Sequence, residues 1–202
     1  MAVLHSVHEH DLPYARRERV NRWGLWLFLI SESFLFAGLL AARFYLWGGT
    51  RPPLNQTLGF GLTVILLLSS FFMNRAEVAI AHDDRPEFLR SAMLTALLGT
   101  AFLVGVVGWE WGLFLPDGPH LRPTDGAFGA VVYGLTGFHA FHVLTGVLAI
   151  LAVWHLGRRG HFSARQHWGV EAVAVYWHFV DLVWVFFYPA LYLIGQVVTA
   201  GH

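Results

Sequence analysis

The chain has 202 residues, of which 56% are hydrophobic and 13% charged, and it carries 9 Trp and 17 Phe. Its formal net charge is zero, which removes the electrostatic basis for a nucleic-acid partner. Cysteine is absent, so disulfides, thiolate zinc sites, iron–sulfur clusters and cysteine nucleophiles are excluded. This composition is that of a membrane protein.

Five segments are apolar enough to cross a bilayer, which takes about 20 residues in a helix. The breaks between them contain Gly, Pro or Asp, residues that end helices. The sequence therefore predicts an all-α fold, an integral membrane bundle of five transmembrane helices. The spans are predicted at 23–47, 58–81, 91–115, 126–156 and 168–197. They form one domain, 23–202, after a polar N-terminal arm, 1–22, that has no cleavable signal, so the first span should be retained.

All 13 basic residues are arginines, and their positions predict the orientation. Arg43, Arg51 and Arg122 flank the spans on one side. The other ten lie on the opposite side: Arg16, Arg17, Arg19, Arg22, Arg75, Arg85, Arg90, Arg158, Arg159 and Arg165. Because positive charge is retained in the cytoplasm, this bias places the N-terminus inside and the C-terminus outside.

Several ionisable residues lie inside the predicted spans, where each costs roughly 2.5–3.5 kcal/mol to insert. On the last span, Glu171, His178 and Asp181 recur at helical spacing and form a polar stripe on an otherwise aromatic surface. Glu32 and Glu110 are isolated carboxyls. Each is interpreted either as a hydrogen-bonded packing group or as a member of a proton relay.

The histidines allow two interpretations. His139 and His142 are three residues apart on one helix, a spacing found in metal sites, and Glu171 and His178 could add ligands. The surrounding Gly and Thr residues instead favour close helix packing in which each imidazole bonds to a neighbouring helix. Since Glu32 and His178 lie at similar depth, a contact between them is also predicted if their helices are neighbours.

Arginines at the cytoplasmic ends could either fix topology or bind anionic lipid headgroups. The headgroup candidates are Arg75, Arg158, Arg159 and Arg165.

Four motifs carry a resemblance to a known family. They are LFLISESFLFAG at 27–38, GVVGWEWGLF at 105–114, GFHAFHVLTG at 137–146 and EAVAVYWHFVDLVWVFFY at 171–188. Their order and spacing resemble subunit III of the haem–copper oxidases, in the short five-span bacterial form. The resemblance covers the first span through the last.

The resemblance implies a non-catalytic subunit of a proton-pumping terminal oxidase in a bacterial plasma membrane. Such a subunit would hold no haem, copper or other metal, because these belong to the partner catalytic subunit I. It would bind phospholipid between its helices and support proton uptake and stability of the catalytic subunit. Glu32 would be the buried carboxyl linked to proton uptake. The structural polar network would comprise Glu110, His139, His142, Glu171, His178 and Asp181.

Three alternatives compete with this hypothesis. One is a related accessory protein of a nitric oxide reductase. Another is a self-sufficient membrane metalloprotein using His139, His142, Glu171 and His178. A small transporter is disfavoured, because mid-span Gly-Pro breaks are absent.

Overall fold

The computed structural model describes residues 14–114 and 121–198. Its architecture is a bundle of five long helices: α1 (Tyr14–Trp47), α2 (Gln56–Ala81), α3 (Arg85–Val104), α4 (Gly126–Arg158) and α5 (Trp168–Tyr188). Two helices continue as π-helical turns, α3 through Gly105–Glu110 and α5 through Pro189–Leu193. Five helical segments are long and apolar enough to cross a membrane. The predicted all-α bundle of five spans is confirmed.

The helix bounds differ from the predicted spans at several ends. Helix α1 already begins at Tyr14, so residues 14–22 of the predicted arm are helical, while residues 1–13 lie outside the described part of the chain. Helix α3 begins at Arg85 rather than at 91, because the Asp84 side chain caps it by accepting from the Glu87 N–H. The predicted end of the third span, at 115, also lies outside the described residues.

The predicted fifth span runs too far, to 197. The helical segment ends at Leu193, and Gly195 follows with a φ of 113°, a conformation that favours glycine. Beyond it, strand β2 (Gln196–Val197) pairs in parallel with strand β1 (Thr50–Arg51). The C-terminal end of the bundle is therefore tied to the connection between α1 and α2.

Helix α5 is central to the packing. It contacts α1, α2 and α4, while α3 closes the bundle against α2 and α4. The fully buried indole of Trp177 lies where a Cβ on Gly99 of α3 or Gly146 of α4 would meet its ring. Its Nε1 donates to Ser69 Oγ at 3.0 Å. Small residues thus let three helices close around one large side chain.

The ten arginines named above lie at one end of the bundle, which we call the arginine-rich end. Helices α1 and α5 both begin there, since Arg22 of α1 contacts Glu171 of α5 at 3.0 Å. The turns after α2 and α4 meet there as well, because Asp83 Oδ1 accepts from the Ala164 N–H at 2.6 Å. The predicted clustering is confirmed, whereas the orientation relative to the membrane stays a prediction.

At the opposite end, Arg43 is fully buried and joins α1 to the end of α5. Its guanidinium donates to the backbone oxygens of Ala190 at 2.6 Å, Gly48 at 3.2 Å and Ile194 at 2.5 Å. It also lies over the Trp47 ring, 5.0 Å from the centroid. A cation at the carboxyl end of a helix satisfies carbonyls that have no partner within that helix. Helix α1 is thus fastened to α5 near both of its ends.

Candidate functional site: polar pairs within the helix bundle

The carboxyl of Glu32, in the middle of α1, pairs with His142 of α4. Glu32 Oε2 lies 3.1 Å from His142 Nε2, and His142 Nδ1 donates to the Phe138 carbonyl one turn earlier on α4, at 2.8 Å. His142 is buried and Glu32 is half-buried. This carboxyl is therefore neither isolated nor open to lipid on all sides.

The predicted contact between Glu32 and His178 is wrong. His178 Nδ1 instead lies 3.0 Å from Ser70 Oγ of α2. The reason is geometric: α1 packs against both α4 and α5, and the polar face of α1 is turned toward α4. The two helices are neighbours, as the prediction required, but Glu32 lies on the side of α1 that faces α4.

The residues of the polar stripe on α5 contact different neighbours along the length of the helix. At the arginine-rich end, Glu171 accepts from Arg22, and its other oxygen lies 3.2 Å from His167 Nε2. Further along, His178 contacts Ser70, and Asp181 is buried, with an Oδ1 atom that has no hydrogen-bond partner among the described residues. The three predicted residues therefore share a face but not a common site.

His139 lies in an aromatic box. It is fully buried, and its ring packs against Trp184 at 5.0 Å and Phe102 at 5.5 Å between centroids, with Phe187 at 6.2 Å. Neither ring nitrogen has a partner within residues 14–114 and 121–198. An imidazole in these surroundings packs as an aromatic ring, because a cationic form would have no counter-charge beside it.

Glu110 ends the first π-helical turn, and it pairs with a residue of the second. Tyr192 donates its phenolic hydrogen to Glu110 Oε1, and its ring stacks on Tyr188. Glu110 Oε2 is buried and lacks a partner in the part of the chain that the structure describes. π-helical turns frequently mark functional positions, and here two of them meet through one hydrogen bond.

The four residues of the metalloprotein hypothesis have different surroundings. His139 lies among aromatic rings, His142 faces Glu32, Glu171 lies at the arginine-rich end and His178 contacts Ser70. No group of three or more His, Asp or Glu side chains within the described ranges is placed to hold a metal ion. The described residues therefore give the ligand set of the metalloprotein hypothesis no support.

Grooves lie on either side of α1 where it contacts α4 and α5. The larger, of about 610 Å³, lies between α1 and α4, with Glu32 and His142 in its wall beside Phe28, Phe141 and other apolar side chains. The smaller, of about 210 Å³, lies between α1 and α5 and is almost wholly apolar, with Phe36 and Leu182 in its walls. The larger groove gives an apolar chain access to the polar pair.

The four predicted headgroup arginines differ in their surroundings. Arg75 is engaged with Glu87 at 2.5 Å, so its charge is already matched. Arg158 is exposed and lies over the Trp154 ring, 4.8 Å from the centroid. Arg159 and Arg165 are exposed at the same end.

Sequence reasoning missed three polar residues that position this site: Ser70, Tyr192 and Arg43. Ser70 and Tyr192 look like ordinary bundle residues. A lone arginine in an aromatic run suggests a side chain that extends to the membrane surface. The sequence did contain a signal for Arg43, because the aromatic side chains of the FYLW run that follows it can stack on a guanidinium.

Comparisons with known proteins bear on this architecture. The family model for cytochrome c oxidase subunit III matches residues 14–196. A cytochrome c oxidase subunit 3 of Thermostichus vulcanus is 39% identical over 196 residues, covering 94% of this chain and 92% of that protein. The protein of the same name from Synechocystis sp. is 36% identical over 183 residues, covering 87% of this chain and 76% of that protein. One from Gadus morhua is also 36% identical, over 87% of this chain and 70% of that protein. These matches confirm the resemblance seen in the four motifs, and the chain belongs to the cytochrome c oxidase subunit III family.

Proposed function

We propose that the chain is a non-catalytic subunit of a proton-pumping haem–copper terminal oxidase in a bacterial plasma membrane. The family match over residues 14–196 carries this proposal. The nitric oxide reductase alternative gains no support, since the relatives described above are named as cytochrome c oxidase subunits.

In this proposal the redox chemistry belongs to the partner. The haem and copper of subunit I would reduce oxygen, and this chain would supply a scaffold. Its polar groups are arranged in pairs between helices, as in Glu32 with His142 and Tyr192 with Glu110. Such pairs fix helix packing in an apolar medium, where an unmatched polar group is costly.

Phospholipid is the proposed ligand of the α1–α4 groove. Its walls are mainly apolar, as an acyl chain requires, and it opens on the side of the bundle. Arg158, backed by Trp154, and the exposed Arg159 and Arg165 are the proposed headgroup contacts at the arginine-rich end. Cationic side chains at that surface attract anionic headgroups by about 1 kcal/mol each. Arg75 is a weaker candidate because Glu87 already neutralises it.

Glu32 is the proposed link to proton uptake. It is a carboxyl at bilayer depth that lies in the wall of a groove, with an imidazole as its hydrogen-bond partner. Within the bundle this pair joins α1 to α4, and a pair of apolar side chains could do the same. Ionisable groups at this depth are retained mainly where they serve function.

The test is purification of the native assembly, followed by kinetics. Affinity capture of this chain from its own membrane should bring down a haem- and copper-containing subunit in equimolar amount. The Glu32→Gln variant should assemble normally but inactivate after several-fold fewer turnovers. A chain captured without a haem protein would refute the proposal. An unchanged turnover lifetime would refute only the role of Glu32.

A further inference from the structure

The seam between α2 and α5 carries polar side chains from the arginine-rich end to mid-membrane. On α2, Ser70, Asn74 and Glu77 recur at spacings of four and three, and so lie on one face. On α5, Glu171 and His178 are seven residues apart on one face. The two faces meet, because Ser70 Oγ lies 3.0 Å from His178 Nδ1.

His178 lies deep in the bilayer. It is ten residues beyond the start of α5, and therefore about 15 Å along the helix, close to half of a hydrocarbon core of about 30 Å. Its neighbours on the same face are Leu182, 54% exposed, and Val185, 42% exposed, so this face of α5 points out of the bundle. His178 itself is half-buried.

Several polar groups on this seam lack a hydrogen-bond partner among the described residues. His178 contacts Ser70 through Nδ1, while its Nε2 has no hydrogen-bond partner among the described residues. The side chain of Asn74 is exposed, and it too lacks a partner within those residues. Lipid tails offer neither donors nor acceptors, so this face is poorly matched to lipid.

We propose that this polar seam is the docking face for a transmembrane helix of a different polypeptide in the same complex. That helix would present a hydrogen-bonding side chain to His178 at mid-membrane. It would present donors, such as an amide, indole or guanidinium, to Asn74 about one turn and to Glu77 about two turns closer to the arginine-rich end. The proposal rests on the proposed function only for the identity of the complex.

A second copy of the same chain fits this face poorly. The seam carries two carboxyl groups that are not buried, Glu77 and Glu171, and Arg22 of α1 already pairs with Glu171. A two-fold contact through the seam would set these acids against their own copies, and like charges across an interface repel. A different polypeptide that presents hydrogen-bond donors to these acids meets no such repulsion.

Photocrosslinking in the assembled complex tests the proposal. The probe is p-benzoylphenylalanine at Leu182, beside His178. The matched control is the same probe at Leu97, 59% exposed near the middle of the third span on the surface of α3. At Leu182 we expect crosslinking to another polypeptide at least five-fold above the control. Crosslinks from Leu182 only to lipid, or to a second copy of this chain, would overturn the proposal.

Two variants of His178 test whether its hydrogen-bonding atoms hold this chain in the complex. His178→Gln keeps hydrogen-bonding atoms at this position, whereas His178→Leu removes them. We expect the Leu variant to be lost several-fold faster from the complex during detergent washing, with retention restored in the Gln variant. Equal retention of both would overturn the proposal. If the Leu variant fails to fold, the crosslink from Leu182 decides alone.

The two proposals can fail separately. A crosslink from Leu182 to a subunit that contains no haem, in a complex without oxidase activity, would overturn the proposed function but support the docking face. Capture of an oxidase in which Leu182 crosslinks only to lipid would support the proposed function but overturn the docking face.

Discussion

Glu32 and His142 are joined by a hydrogen bond that needs one proton between them. His142 Nδ1 lies 2.8 Å from the Phe138 carbonyl, which can only accept, so the hydrogen of a neutral ring is on Nδ1. Nε2 would then be bare, yet it lies 3.1 Å from Glu32 Oε2. The pair is therefore a carboxylic acid donating to an imidazole, or a carboxylate accepting from an imidazolium. Either form has zero net charge, which suits its depth in the membrane.

The shared proton predicts different outcomes for two substitutions at Glu32. In Glu32→Gln the amide N–H can donate to His142 Nε2, so the free energy of unfolding should change little. In Glu32→Leu, Nε2 of the His142 ring is left buried without its partner, which should cost about 1–3 kcal/mol. Thermal unfolding of the purified chain in detergent measures both. Equal destabilisation by Gln and Leu would contradict the shared proton.

The two histidines of α4 should respond differently to replacement by phenylalanine. His139 makes no hydrogen bond to a described residue and packs among aromatic rings, so His139→Phe should stay within about 1 kcal/mol of the parent chain. His142→Phe loses two hydrogen bonds and leaves Glu32 unpaired, so it should cost about 2 kcal/mol or more. Unfolding in parallel under one detergent condition makes the comparison. A larger loss at His139 would indicate a polar partner for that ring.

Arg43→Met should destabilise the end of the bundle by about 3 kcal/mol, because three backbone carbonyls lose a charged donor inside the protein. Arg51→Met is the matched control, since Arg51 is less buried and its side chain makes one bond, to the Gly195 carbonyl at 3.2 Å. It should cost less than about 1 kcal/mol. Proteolysis after residue 188 should accelerate in the first variant only. Similar rates in both variants would remove the anchoring role of Arg43.

Close packing around Trp177 predicts opposite effects for two glycine substitutions. A Cβ at Gly99 would lie 2.5 Å from the indole, which is also packed closely against Gly146, so Gly99→Ala should destabilise by about 1–3 kcal/mol. A Cβ at Gly38 would meet nothing within 4 Å, and Gly38→Ala should stabilise α1 by up to about 1 kcal/mol. The midpoint of thermal unfolding reports both signs. A stabilising Gly99→Ala would show that the three helices approach less closely here.

Hydropathy and turn residues were enough to predict the number of helices and which ends lie together. They could not predict which neighbouring helix each side of α1 faces, and this is why Glu32 was matched to His178 of α5 instead of His142 of α4. Rotation of α1 about its own axis decides that pairing, and it depends on contacts far apart in sequence. The same limit applies to Glu110, whose partner Tyr192 lies in a π-helical turn that no local pattern announced. The glycine-flanked histidine motif indicated that both imidazoles lie within the bundle. It did not indicate that His139 packs among aromatic rings while His142 is hydrogen-bonded to a carboxyl group.

The π-helical turn Pro189–Leu193 makes the number of residues after α5 critical. Removing one residue from this turn moves every residue after it back by one helical position. One helical position corresponds to a rotation of about 100° about the helix axis. Tyr192 would swing away from Glu110, and Gln196 would lose its alignment with Thr50. We therefore expect this family member to tolerate changes of side chain in that turn far better than deletion of a single residue.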